Sequence, residues 1–142
     1  MNTATLPNLL DTLKTEGGFT YLPETNDFAP PAGFAIAVPG TERIIGNNLV
    51  TREAFAVAFA DVAEDLLKYA KEYTRPGVVQ RAIGGWYSED RGVYMVELAE
   101  IWHVDRELAI DFGKARDQEA IYDLSTGEEI KTGGRGDHAG EE

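Results

Sequence analysis

The sequence predicts an α+β domain: an antiparallel or mixed sheet of about five strands with two main helices, one of them long, packed on one face. Three observations predict it. From Thr51 to Tyr73 apolar residues recur at three- and four-residue steps, the period of an amphipathic helix. Two runs rich in β-branched and aromatic residues, Val78 to Tyr87 and Val93 to Ile101, flank a short polar segment ending in glycine, the pattern of a hairpin. A chain of 142 residues with 43% hydrophobic content has the size of one domain and enough apolar side chains for one core. Residues 1–131 are expected to form that domain and 132–142 a tail.

Each element has its own local reason. Asn8 to Glu16 carries Leu9, Leu10 and Leu13 at helical spacing and stops at Gly17-Gly18, so a short helix is expected there. Phe19 to Leu22 and Phe34 to Val38 read as strands joined by a long loop, because PETNDFAPPAG is broken by prolines and glycine. Glu42 to Ile45 is a candidate short strand, with Gly46-Asn47-Asn48 as its turn. In the long helix Thr51 is the cap, and Phe55, Phe59, Val62, Leu66, Tyr69 and Tyr73 share one face. Glu64 and Lys68 pair on the outer face, and Arg75-Pro76-Gly77 ends the helix.

Within the hairpin, Ser88 to Gly92 forms the loop, and Tyr94, Val96 and Leu98 alternate toward the core. Asp105 caps a second helix, Arg106 to about Arg116, with Leu108, Phe112 and Ala115 inward. A last strand runs from Ala120 to Leu124. The closing KTGGRGDHAGEE is almost free of apolar residues and is expected to be disordered.

Composition excludes several functions. There is no cysteine, so there is neither a disulfide framework nor a thiolate nucleophile. The two histidines, His103 and His138, cannot supply a three-histidine metal site. No metal or cofactor is expected. The start of the chain lacks a basic segment followed by an apolar run, and no apolar stretch is long enough for a membrane helix. A cytoplasmic protein without membrane contact is the expectation. A formal charge of -12 repels phosphate backbones, which argues against direct nucleic-acid binding. That charge is uneven: residues 1–83 hold 10 acids and 7 bases, residues 84–142 hold 15 acids and 6 bases.

Short motifs carry little chemistry. Leu22-Pro23-Glu24-Thr25-Asn26 matches a sorting signal only in part, and Arg135-Gly136-Asp137 matches an integrin-binding tripeptide without secretion features. His103, beside Trp102 at the end of the second hairpin strand, lacks a serine in a strand-to-helix elbow to activate. Glu97 and Glu100 are three apart on one strand and therefore face opposite sides. Asp123 with Glu128-Glu129 matches no cation-binding loop. Gly84-Gly85 lies inside a strand, where a bulge or close backbone packing beneath Trp86 explains it better than phosphate binding.

Gly85-Trp86, the acidic turn with Gly92, and Tyr94 in the returning strand form one recurring pattern with the residues that follow them. These are Asp105-Arg106-Glu107, the strand Ala120 to Leu124, and Gly127-Glu128-Glu129-Ile130 closing on Gly133-Gly134. The pattern resembles a module of uncharacterised actinobacterial and actinobacteriophage proteins. The resemblance implies an origin, a phage or mobile-element accessory protein, and no activity or functional residue.

The function expected is a small acidic, non-catalytic protein-interaction module. Trp86, Tyr87, Trp102 and His103 are its candidate interaction patch, because aromatic side chains anchor interfaces when exposed. Self-association through an open sheet edge is compatible with this. Two alternatives are a DNA mimic, which needs carboxylates spaced like phosphates, and a small hydrolase or transferase using His103.

Overall fold

The spine of the molecule is the hairpin of β5 (Val79–Ser88) and β6 (Val93–Trp102), paired over all ten residues from Val79↔Trp102 to Ser88↔Val93. Gly92, at φ 66°, closes it. In this computed structural model the chain is described over residues 5–38, 40–46, 51–68, 79–89, 91–118 and 120–133.

The free edge of β5 takes β1 (Gly18–Leu22), which pairs in turn with β2 (Asp27–Phe28). The free edge of β6 takes two short segments in line, β3 (Phe34–Ala37) against Ala99 to Trp102 and β4 (Arg43–Gly46) against Tyr94 to Val96. Beyond β3 lie β7 (Ala120–Asp123) and β8 (Glu128–Lys131). The order β2-β1-β5-β6-β3-β7-β8 is antiparallel throughout, with β4 joining at β6. This settles the choice between antiparallel and mixed sheets.

The helices are α1 (Leu6–Glu16), α2 (Arg52–Lys68) and α3 (Arg106–Ala115). Cross-strand partners share a face and alternate residues change face. Phe19, Ile83, Val96 and Leu98 therefore point to one side, where Leu9, Leu10 and Leu13 of α1 and Phe55, Val62 and Leu66 of α2 cover them. Farther along the same side, Ile36, Ile121 and Ile130 pack under Ala109 of α3. All three helices cover one face.

Three expectations change. The described residues contain eight strands rather than about five, while the three helices are the short one and the two main ones expected. The extra strands are short edge segments. Asp27–Phe28 lies inside the segment read as loop, returned onto β1 after Asn26 at φ 52°, and Glu128–Lys131 buries only Ile130. Neither carries an apolar pattern strong enough to read.

The inward face of α3 is also different. Leu108 and Ala115 are exposed, whereas Ala109 and Gly113 are buried. Small side chains let the helix lie close to the sheet: a Cβ at Gly113 would stand 2.7 Å from Ile121 Cγ2. The third change is at the tail. Thr132 is buried and its hydroxyl donates to the Gln118 carbonyl, so the ordered chain runs past residue 131. The rest of the expected tail from residue 134, and the long helix beyond Lys68, lie outside the described residues.

Candidate binding site

The four residues expected to form an interaction patch are dispersed. Trp86 pairs with Met95 near the hairpin loop and Trp102 with Val79 at the opposite end, so seven residues, roughly 24 Å of strand, separate their positions. Tyr87 points to the helical side and packs on Tyr94, ring centroids 4.7 Å apart. Trp102 is on the helical side too, packed against Phe112 with ring centroids 4.2 Å apart and planes tilted by 44°, its indole N–H donating to Glu100 at 3.1 Å. His103 is exposed beyond the strand end, its Nε2 2.9 Å from Gln80 Oε1 and its ring over Gly33. Trp86 looks onto the other face of the sheet, and His103, bonded to Gln80 of that face, lies at its far end.

That other face is where a site forms. The alternation that sends large apolar residues to the helices leaves Gly18, Ala35, Ala37, Gly84, Ala99 and Ala120 on the reverse side. The sheet curls around these small residues, so β1 at one end and β7 and β8 at the other line one shared cavity, although β5, β6 and β3 separate them in the sheet. Its volume is about 190 Å³. Leu22, Ala82, Ala99 and Ile101, with Ala29 and Leu124 against them, form a small apolar cluster on this side. No bulge interrupts β5 at Gly84-Gly85. Gly85 is instead where the Phe19 ring approaches from the helical side, and Gly84 keeps the cavity open.

Glu97 lines this cavity directly opposite Gly84 and is 8% exposed. Burial, and secondarily the charge of Glu42, push its carboxyl up to about 8, so it is largely protonated at neutral pH. Two groups oppose the rise. The Trp86 indole N–H lies close enough to favour the ionised form, yet its own nitrogen is buried without a hydrogen bond of proper geometry. Arg91 acts from the hairpin loop, where it is engaged with Glu42 at 3.3 Å. A neutral buried carboxylic acid in a cavity can donate a hydrogen bond, or release its proton to accept a cation.

In the sequence Glu97 stands out only as a possible partner of Glu100, three residues away on the same strand. The opposite-face argument holds: Glu100 lies on the helical side, 1% exposed and bound to Arg116 at 2.7 Å. The signal that marks Glu97 is its cross-strand neighbour. An acid opposite a glycine, with Ala99 two residues on, has room in front of it.

Asp123, the centre of the weighed cation site, is committed locally. The Ser125 hydroxyl donates to it at 2.6 Å and holds its carboxyl below the usual range. Among the described residues no group of three His, Asp or Glu is placed to hold a metal ion, and no helix is long and apolar enough to cross a membrane. No protein-family model matches the sequence, and no curated protein or solved structure shows significant similarity to it.

Proposed function

We propose that this protein is a small acidic, non-catalytic binding module whose concave sheet face takes up a group presented by a protein partner. The carrying observation is the cavity of about 190 Å³ behind Gly84, floored by the buried Glu97. A cavity with apolar walls and a few convergent polar groups is the common form of a binding site. His103, the base of the hydrolase reading, hydrogen-bonds Gln80 outside this cavity. The mimic reading needs a row of free carboxylates, whereas Asp65, Glu42, Glu100 and Glu128 are engaged by arginines. The accessory role in a phage or mobile element implied by the sequence pattern fits a protein that works by binding.

A neutral-fragment screen read by two-dimensional NMR tests this. Shifts are expected at Thr20, Gly84, Ala99 and the Trp86 indole N–H, with the Trp102 indole unmoved. A Gly84→Val side chain would project into the cavity and abolish them. Shifts elsewhere that survive Gly84→Val overturn the proposal.

A further inference from the structure

We infer that the concave cavity binds an alkylammonium group, the chemistry common to a lysine side chain and a free small amine, with the Glu97 carboxylate as its counter-ion. This rests on the binding-module reading above and names the chemistry of its ligand.

The cavity wall sets the sign of the ligand's charge. Glu42, Glu97 and Glu129 all line it, and no lysine, arginine or histidine does among the described residues. Two of these acids have partners: Glu42 pairs with Arg91 at 3.3 Å, and Glu129 with Lys131 at 3.7 Å. Glu97 has none among the described residues apart from the approach of the Trp86 N–H. A carboxyl more than nine-tenths buried and facing a cavity without an ion pair is an incomplete arrangement, because a desolvated acid is costly to ionise until a cation accompanies it.

Shape and wall chemistry point to the same ligand. Ala35, Ala37, Gly84 and Ala99 offer apolar contact for a methylene chain, and Trp86 and Tyr122 add aromatic surface of the kind that attracts ammonium groups. The volume of about 190 Å³ exceeds the roughly 150 Å³ of a cavity that holds a benzene ring. A four-carbon ammonium fits.

The step balances without a further reactant. The protonated Glu97 carboxyl loses its proton to solvent as the ammonium enters, leaving carboxylate against ammonium. The groups that act on Glu97 are Glu42 from the segment before β4, Arg91 from the hairpin loop and Trp86 from β5, while Glu129 from β8 lines the same cavity. Glu42 and Arg91 offset one another, so the ion that displaces the proton is the ligand.

Calorimetric titration of the full chain with n-butylamine, and with an end-capped lysine peptide, tests the inference in two buffers of different ionisation enthalpy. Close to one proton released per ligand is expected at pH 6–7. Affinity should climb by up to about tenfold per pH unit and level off near pH 8. Tighter binding of the peptide assigns the ligand to a partner's lysine, and tighter binding of butylamine assigns it to a free amine. Glu97→Gln, its fold checked by NMR, should release no proton and lose the pH dependence.

Failure of both amines to bind, affinity that falls or stays flat as pH rises, or unchanged proton release in Glu97→Gln would each overturn the ammonium assignment. If neutral fragments still bind in a Gly84→Val-sensitive manner, the binding-module reading survives that failure. If they do not, both readings fall together.

Discussion

The Thr41 hydroxyl stands in for a strand where β6 has none: its oxygen accepts the Leu98 N–H at 3.0 Å and donates to the Val38 carbonyl at 2.8 Å. On one side of this point β3 pairs with Ala99, on the other β4 pairs with Val96. The chain leaves the sheet between them, and a buried side chain, 2% exposed, completes the ladder. The same excursion brings Glu42 onto the concave face beside Glu97, so this hydroxyl links the sheet's continuity to the electrostatics of the cavity.

Replacing Thr41 with valine keeps the shape and removes both hydrogen bonds. The Leu98 N–H would be left buried without an acceptor, at a cost of about 1–3 kcal/mol. Urea unfolding should record that loss, and Thr41→Ser should recover most of it. Destabilisation by serine but not by valine would mean that the methyl group, not the hydroxyl, holds the excursion.

The hairpin, the long helix and the strand from Ala120 are legible in the sequence because their side chains alternate or recur over enough residues to fix a period. The edge strands are not, since β2 has two residues and β8 buries only Ile130. The face of α3 misleads for a related reason: its contact is made by Ala109 and Gly113, and closeness of approach matters more there than apolar bulk. Glu97 is least legible. In the sequence it is an acid in an apolar strand, and its altered chemistry comes from strands far apart in the chain curling around it. Gly84 and Ala99 hint at space, but only the sheet order says what encloses it.

The two adjacent glycines of β5 should respond oppositely to the same change. A Cβ at Gly85 would stand 2.2 Å from the Phe19 ring, which is set edge-on to Phe55 at 5.9 Å, so alanine must displace a packed aromatic pair. A loss of roughly 1–3 kcal/mol is expected from such overpacking. At Gly84 the nearest atom to an added Cβ is 3.8 Å away, and alanine should be neutral or stabilise by up to about 1 kcal/mol through the unfolded chain. Thermal unfolding of the two variants side by side makes the comparison, and equal shifts would refute the assignment of the two faces.

Glu100 and Arg116 tie α3 to the sheet. Arg116 bonds the carboxylate at 2.7 Å and the Ala37 carbonyl at 3.1 Å, and its guanidinium lies 4.3 Å from the Phe112 ring centre. Arg116→Ala would strand a carboxylate that is 1% exposed, at a cost of about 3–5 kcal/mol. Adding Glu100→Gln should restore part of that stability, because the stranded charge is then gone. A double variant no more stable than Arg116→Ala would place the loss in packing over Phe112 rather than in charge.

Glu97 gives the fold a pH dependence opposite to that of an ion-paired acid. Its carboxyl ionises near pH 8 in the folded protein against an ordinary value of 4.5, so between those values the unfolded chain has released a proton that the fold retains. Its stabilising contribution is therefore complete below pH 4.5, declines as pH rises from there, and is lost by the time pH passes 8. The slope is at most about 1.4 kcal/mol per pH unit. Glu97→Gln cannot ionise and should escape this decline, matching the parent near pH 4 and exceeding it in stability at pH 8. Denaturant titrations at pH 4, 6 and 8 check the divergence. Parallel stability curves would show that Glu97 is solvated as an ordinary surface acid, and the electrostatic basis of the cavity would fall with that result.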